Sequence, residues 1–578
     1  MKWINISIEV LLIFLVLFSP LIYGSITALP LTIVEFASFL LLYIFLFELC
    51  LQDNFSIVKI AYLPLSLFVG LIIFQLIPLP AGFLKVISPA TFALYRDFRP
   101  GPNEFLTLSI YPDATVNLLL QLLSFFAVFF VALNYIDNEK KGRRVTFAII
   151  FSGFLYAIFG LIRRFTVPSG GFSTFTNRDH FAAYIELILP LSIVYALIEP
   201  NKTRKIILIF AASVMGLALT LSLSRAGIIC FSLSLIIFLA LFWMKRPLKK
   251  GLIAVLGMLL VLSLFLAAIG TGSITKRLAT LQDPLKAMSG RVEVLRDAPK
   301  LIADFPLLGT GLGTFIDIFS KYKTFESKTY RFAHNEPLQL IAETGISGFL
   351  LVFIFLILYF MRISGLWLKR RNPYAIYITL GCFIGLISVG MHSFFEFMLH
   401  VPAVTLLFFI ILALMFRAIY TKDQQDALPV PQRNLTLNKP LNFILLGAIS
   451  LLFFLAIMPV LYRYQAEVDF SRAASLSYQK EEQFKFINAA INANPQNCAY
   501  WAKKADLFSG SEEFLALAEK YYKRAMNLNP ARAIYHFRLA EVYKNQGRLE
   551  ETRQEFNKAV ILDPQNKKIR EFINQNVF

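Results

Sequence analysis

Basic side chains and a histidine lie together in residues 289–345, the longest polar interruption in the apolar two-thirds of the chain. Arg291 and Arg296 stand near the start of this segment, whereas Arg331, His334 and Asn335 stand near its end. Guanidinium groups offer several donors to phosphate oxygens, and histidine can accept a hydroxyl proton near neutral pH. These residue types predict a site for an anionic substrate. In the alternative interpretation, the arginines contact lipid headgroups and the histidine has a structural role.

Three further candidates lie outside this segment. Arg225, in SLSRAG, adjoins an apolar run, where a cation is costly without an anionic partner. Arg178 and His180 begin another apolar run and are expected to face the same side of the membrane. The histidines and carboxylates of residues 175–186 and 392–400 match no compact metal-ligand spacing. We therefore predict no metal site and no cofactor.

The elements that must position these residues begin with an amphipathic pattern from residue 291. Val292, Leu295 and Phe305 can share one helix face with Leu301 and Ile302, which predicts a helix along the membrane surface. The glycines of GTGLG, which follow this pattern, superficially resemble a dinucleotide fingerprint. No strand precedes them, so they predict instead a tight turn or the close approach of a substrate.

The composition places this segment in a membrane protein. The 578 residues are 57% hydrophobic and 16% charged, which is too apolar for a soluble chain of this length. The net charge of +19 comes largely from clusters between apolar runs rather than from a nucleic-acid-binding surface. Thirteen runs are long enough to cross a bilayer: 4–23, 31–50, 60–77, 113–134, 145–162, 182–199, 206–222, 227–243, 252–270, 346–361, 374–392, 401–417 and 441–461.

The clusters of lysine and arginine all follow even-numbered runs, for example at 140–144, 202–205 and 245–250. The positive-inside rule places these clusters in the cytoplasm and the odd-numbered loops outside. The long loop 271–345 and the C-terminus are therefore predicted to lie on the external side.

A periodic segment follows residue 463. Asn494-Pro495, Asn529-Pro530 and Asp563-Pro564 recur at intervals of 35 and 34 residues, and each proline follows an alanine by five positions. This pattern resembles the tetratricopeptide repeat, in which small residues lie where paired helices touch. We expect an all-α fold: a polytopic membrane domain at 1–463 with about 12–13 transmembrane helices, and a repeat-like α-solenoid at 464–578 that binds a protein partner.

Several motifs together resemble the O-antigen ligase and polymerase superfamily of bacterial envelope glycosyltransferases. These are SLSRAG, then SGR and FPLLGTGLGTF in the long loop, and AHNEPLQLIAETGISG before the next span. The segments NRDHFAAYIE and HSFFEFMLHVPA are similar to those of members that carry C-terminal repeats. The resemblance covers about residues 110–420, with the repeats as a separate match.

The resemblance implies an inverting, metal-independent enzyme of the bacterial inner membrane. Such an enzyme transfers a glycan from an undecaprenyl-diphosphate carrier to an acceptor hydroxyl on the periplasmic face. Arg225 and Arg291 match arginines expected at the donor diphosphate, and His334 matches the essential histidine of the loop. The acceptor stays open between lipid A core, a growing glycan and a protein. A transporter of lipid-linked glycans or a repeat-based scaffold are the alternatives of another class.

Overall fold

The computed structural model describes residues 2–52, 54–102, 104–166, 171–244, 291–326, 329–421, 428–436, 439–476 and 480–575. The predicted span 252–270 and the predicted loop residues 271–290 lie outside this part of the chain.

Helices form most of the described chain before residue 245. They are α1 (Lys2–Phe18), α2 (Ala28–Cys50), α3 (Tyr62–Leu76), α4 (Ala81–Ile87), α5 (Pro89–Phe98), α6 (Pro112–Tyr135), α7 (Glu139–Thr166), α8 (Arg178–Ile198), α9 (Lys202–Leu221) and α10 (Arg225–Met244).

The described chain after residue 290 is also largely helical. Its helices are α11 (Arg291–Asp304), α12 (Phe315–Ile318), α13 (Glu336–Lys369), α14 (Pro373–His392), α15 (Pro402–Ile419), α16 (Lys439–Ser475), α17 (Lys480–Ala493), α18 (Cys498–Phe508), α19 (Leu515–Leu528), α20 (Ala533–Asn545), α21 (Leu549–Leu562) and α22 (Lys567–Gln575).

Four short strands form two antiparallel pairs within the described residues. Strand β1 (Asn54–Val58) pairs with β4 (Gln432–Thr436), and β2 (Leu79–Pro80) pairs with β3 (Phe105–Leu106).

Among the described residues, ten helices are long and apolar enough to span a membrane, namely α2, α6 to α10 and α13 to α16. The shorter apolar helices α1 and α3 coincide with two further predicted spans. The protein is therefore a polytopic helical membrane protein, as its composition predicts.

The chain divides into two compact units. The first comprises residues 1–61, 122–287 and 356–457, and the second comprises residues 62–121, 288–355 and 458–578. Helices α6, α13 and α16 each contribute residues to both units.

Helix α8 lies in the core of the first unit, where it packs against α14, α9 and α7. Two glycines of α14 permit the close approach of these helices. A Cβ atom on Gly385 would lie 2.7 Å from the carbonyl oxygen of Leu187, and one on Gly381 would lie 2.9 Å from the Cα of Leu191. Small residues at such crossings are typical of helix packing in membranes.

The second unit has a core built from the long loop and the C-terminal helices. Val294, Ala298 and Leu301 of α11 belong to the same buried cluster as Phe315 and Phe537. The predicted amphipathic helix is thus confirmed. Leu301 and Phe305 of its predicted apolar face are buried in this protein core together with Val294 and Ala298, whereas Val292 and Leu295 are half-buried. The position of this helix along the membrane surface stays a prediction.

Helices α17 to α22 follow one another in packed pairs, of which α18 with α19 and α20 with α21 have the most extensive contacts. The alanines that mark the sequence period, Ala490, Ala525 and Ala559, are fully buried. Ala505 and Ala540, at equivalent positions in the following helices, are also fully buried. Small side chains at these positions allow the helices to approach closely.

Candidate functional site

The sequence-predicted site residues are divided between the two units. Arg178, His180 and Arg225 lie in the first unit, and Arg291, Arg296, Arg331, His334 and Asn335 lie in the second. Each group is described within its own unit.

Arg291 and Arg296 lie on α11, which begins at Arg291. Arg296 is exposed, and its guanidinium donates a hydrogen bond of 2.6 Å to the hydroxyl of Thr324. The segment around Thr324 is held to the same helix by Asp297, which accepts hydrogen bonds from the Thr324 backbone at 2.7 Å and from Lys300 at 2.8 Å. Asp297 itself is completely buried.

Asp297 is buried as an ionised group with strong partners. Burial opposes ionisation, but the hydrogen bonds from Lys300 and Thr324 outweigh it and hold the pKa of Asp297 below its ordinary value. The carboxylate therefore binds the segment around Thr324 to α11, the helix that carries Arg291 and Arg296.

His334 lies in a tight turn immediately before α13. Its backbone is left-handed, with φ at 52°, a conformation that histidine adopts more readily than most residues. Asn335 then caps α13, because its side-chain oxygen accepts the Leu338 N–H at 2.9 Å. The His334 ring is half-buried and meets the Tyr330 ring edge to face, with 6.2 Å between centroids.

Tyr330 connects His334 with the start of α11. Burial raises the pKa of Tyr330, Glu293 raises it further and Arg291 opposes both. Arg291 and Glu293 are therefore close enough to Tyr330 to influence its ionisation. Arg291, Tyr330 and His334 thus lie in one neighbourhood of the second unit, whereas Arg331 is exposed and places its guanidinium over the ring of Phe332 at 5.4 Å.

A buried carboxylate supports the glycine-rich loop between α11 and α12. Glu343 is 1% exposed and accepts the backbone N–H of Gly313 at 2.8 Å and that of Phe315 at 3.3 Å. Gln339, one turn earlier in α13, donates to Glu343 at 3.1 Å. Gln339 also accepts the backbone N–H of Ala333 at 2.9 Å, directly before His334. One pair of side chains therefore holds both the glycine-rich loop and the histidine turn.

Gln75 completes this network from α3. Its side-chain amide donates to the carbonyl oxygens of Leu308 at 2.7 Å and Glu343 at 2.9 Å, and its side-chain oxygen accepts the N–H of Leu312 at 3.2 Å. Gln75, Gln339 and Glu343 were not singled out from the sequence. A glutamine within the apolar run 60–77, and two polar residues four positions apart shortly before the run 346–361, are the signals that could have found them.

The glycines allow two backbone segments to touch. A Cβ atom on Gly309 would lie 2.3 Å from the carbonyl carbon of Glu343, and one on Gly345 would lie 2.1 Å from the carbonyl oxygen of Leu307. Both glycines have positive φ, and Gly345 interrupts the helical geometry of α13. The prediction of a tight backbone turn is confirmed, and the close approach involves residues 343–347 of the protein itself.

Arg225 is the first residue of α10, in the first unit. Ser224 caps this helix, since its hydroxyl accepts the Gly227 N–H at 3.1 Å. The same hydroxyl donates to Asp179 at 2.6 Å. Asp179 lies in the first turn of α8 beside Arg178, so the capping serine fastens the start of α10 to the start of α8.

A second polar group lies deeper in the first unit. The fully buried Glu186 accepts a hydrogen bond from Ser388 at 2.8 Å and lies 2.8 Å from Nδ1 of His392. His180 is 3% exposed, and its ring packs against Phe397 with 5.0 Å between centroids. His392 is thus the basic partner of Glu186, and the burial of His180 favours a packing role over direct substrate contact.

These features define a polytopic helical membrane protein that carries an ordered, arginine- and histidine-containing segment between two of its apolar helices. Residues 210–353 match the protein-family model described as O-antigen ligase. The match supports the O-antigen ligase superfamily and, in general terms, a ligase or polymerase type of activity. It includes Arg225, Arg291, Arg296, Arg331, His334 and Asn335, whereas Arg178 and His180 precede it. No curated protein matches the chain.

Proposed function

We propose that this protein transfers a glycan from an undecaprenyl-diphosphate carrier to an acceptor hydroxyl at the periplasmic face of the bacterial inner membrane. The observation that carries this proposal is the O-antigen ligase match, which contains Arg225, Arg291 and His334 in one continuous interval. The arrangement of Arg291, Tyr330 and His334 supports it, because a cation and a candidate base belong to one neighbourhood.

The proposed step is a single displacement at the anomeric carbon. The acceptor oxygen forms the new glycosidic bond, and the bond from the anomeric carbon to the diphosphate oxygen breaks with inversion. The leaving group gains negative charge, which positioned guanidinium groups stabilise. The resemblance to the superfamily assigns this role to Arg225 and Arg291. The acceptor proton moves to His334, whose fixed turn would hold the imidazole at the attacking oxygen. The step requires no metal ion.

Further contacts are proposed for residues that flank these three. Arg296 and Arg331 are exposed and can meet phosphate or glycan oxygens from the second unit. Asn335 caps α13 and so supports the histidine turn in addition to any glycan contact. Arg178 remains a proposed substrate contact of the first unit, whereas the buried His180 is assigned to packing.

Three classes of acceptor are compatible with the proposed donor. Ligation to lipid A core, polymerisation of glycan repeats and transfer to a protein hydroxyl would use the same donor and the same displacement. Helices α17 to α22 have the repeat period and the buried alanines of tetratricopeptide repeats, which are found at protein interfaces. That resemblance favours a protein acceptor or an assembly partner, with the segment on the periplasmic side.

A lipid-linked glycan transporter or a scaffold is the alternative from another class. A transporter would need cations distributed along its spans to guide a diphosphate. In this chain the basic clusters predict that Arg225 and Arg291 both lie on the external side, which favours group transfer at one membrane face.

Reconstitution in proteoliposomes with a diphosphate-linked oligosaccharide and the three classes of acceptor tests the proposal. Arg291→Ala and His334→Ala should each reduce glycan transfer at least a hundredfold. Arg553→Ala, which removes an exposed arginine of α21, is the matched control and should retain transfer. Undiminished transfer in both site variants would overturn the residue assignment, and donor movement across the bilayer without a new glycosidic bond would favour the transporter.

A further inference from the structure

The period of the C-terminal segment coincides with its contacts to the rest of the second unit. Asn494, Asn529 and Asp563 are the residues that precede the three repeat prolines. Asn494 donates to Asp113 at 3.0 Å, and Asn529 donates to Asp317 at 2.8 Å. The third residue of this series, Asp563, also faces the long loop. Each repeat junction is therefore occupied by a contact within the protein.

Two of these junctions involve ion pairs with the segment between the glycine-rich loop and His334, and the carboxylate of each pair is buried. The buried Asp317 of α12 lies 2.5 Å from Nε of Arg532, whose side chain is 29% exposed. Lys323 lies 3.1 Å from Asp563, with side chains 2% and 7% exposed. Burial raises the pKa of Asp317 and Arg532 opposes this shift. Ion pairs that have lost this much water are sensitive to the removal of one partner.

Apolar contacts join the same elements. Phe315 and Phe319 of the loop belong to the buried cluster that contains Phe537 and Phe556 of the C-terminal helices. Ala333, the residue before His334, is fully buried in that cluster. The histidine turn and α11 therefore share a hydrophobic core with α20 and α21.

We propose that helices α17 to α22 are a brace for the loop that carries Arg291 and His334, and that Asp317, Lys323, Arg532 and Asp563 are positioning residues for glycan transfer. This inference rests on the proposed function for its catalytic consequence. The surface that carries Asn494, Asn529 and Asp563 is then covered by other parts of the second unit. A protein partner would have to bind elsewhere on helices α17 to α22. Removal of residues 464–578 should therefore impair glycan transfer.

A set of variants of the Lys323–Asp563 pair tests the brace in the full-length protein. Lys323→Met leaves the buried carboxylate of Asp563 without its cation, whereas Lys323→Met with Asp563→Asn removes both charges and keeps the volume of both side chains. Glu541→Gln is the matched control, since it removes a half-exposed ion pair with Arg538 inside α20. Each protein is purified as a monodisperse species before measurement.

The first measurement is hydrogen–deuterium exchange of the peptides that cover residues 315–326 and 329–345. The single variant should exchange at least tenfold faster than wild type in both, and the double variant should recover most of the protection. The second measurement is turnover with a diphosphate-linked oligosaccharide as donor. The single variant should lose about tenfold in kcat per folded molecule, with a smaller change in the KM for the donor, and the double variant should recover kcat.

The outcomes separate the brace from the proposed function. Unchanged exchange in the single variant would overturn the brace, as would faster exchange with unchanged kcat per folded molecule. Faster exchange with recovery in the double variant, in a wild-type protein that transfers no glycan to any acceptor, would support the structural brace and overturn the proposed function.

Discussion

Glu343 shows how one side chain can organise a loop that contains no regular strand. Its carboxylate accepts two backbone N–H groups and a side-chain amide, all in a buried position. Buried backbone donors of a glycine-rich turn need such acceptors, since they have no helical or sheet partner. The loop before α12 therefore depends on a residue of α13 that lies about thirty positions later.

Replacement of Glu343 tests this dependence. Glu343→Ala would leave the Gly313 and Phe315 N–H groups without their acceptor, at a cost of about 1–3 kcal/mol for each buried group. We expect the free energy of unfolding of the second unit to fall by about 3 kcal/mol, with Glu343→Gln intermediate because it keeps one acceptor oxygen. Denaturant unfolding followed by Trp501 fluorescence, with the other three tryptophans replaced by phenylalanine, measures the change, and Glu512→Ala on the exposed surface is the control. Equal stability of Glu343→Ala and wild type would contradict this role.

Asp297 predicts a specific pH dependence. Because its pKa is lowered in the folded protein, its carboxylate contributes stability that is complete above the ordinary aspartate value of about 3.9 and is lost as the pH falls through the folded value. Wild type should thus be more stable than Asp297→Asn at neutral pH, and the difference should shrink below about pH 4. Thermal unfolding across this range measures it. A difference that stays constant down to pH 2 would show that the charge of Asp297 is unimportant.

At the scale of elements, hydropathy predicted the helices well and their interruptions poorly. All the predicted spans within the described residues are helices, because about 20 apolar residues in sequence are sufficient to indicate one. The break at Gly345 was not predicted, because it depends on residues 306–308, which approach from a distant position in the chain. The N–H of Ile346 donates to the carbonyl of Pro306 at 2.8 Å, and no local pattern specifies that contact.

Two glycines of α13 provide a matched comparison. Gly345→Ala would place a Cβ atom 2.1 Å from the Leu307 carbonyl oxygen at a positive φ, so it should destabilise the protein by several kcal/mol, on the order of 3. Gly365→Ala meets nothing within 4 Å in regular helix and should be neutral or stabilising by up to about 1 kcal/mol. Thermal unfolding of both variants decides the point. Similar midpoints for the two would mean that the chain does not make the Leu307 contact.

At the scale of the whole molecule, composition and charge predicted a multi-pass membrane protein. They did not predict the core of the second unit, because its contacts join residues that are far apart in the sequence. Asp317 and Arg532 are 215 positions apart, and neither is distinguished by its local sequence. The sequence showed the period of Asn494, Asn529 and Asp563 and the resemblance to repeats. It could not show which surface those junctions contact, because that depends on the folded arrangement of non-local segments.

The side of the membrane on which the chain ends is the last prediction. Alternating basic clusters place residues after Phe578 outside, provided that α1 and α3 both cross. These helices have 17 and 15 residues, or about 25 and 22 Å at 1.5 Å per residue, so each must use flanking residues or local thinning to span about 30 Å of hydrocarbon. A periplasmically active reporter fused after Phe578 should be active, and the same reporter after Lys205 should be inactive. Activity of the Lys205 fusion alone would invert the assignment, and inactivity of both would mean that an odd number of the predicted spans after Lys205 does not cross.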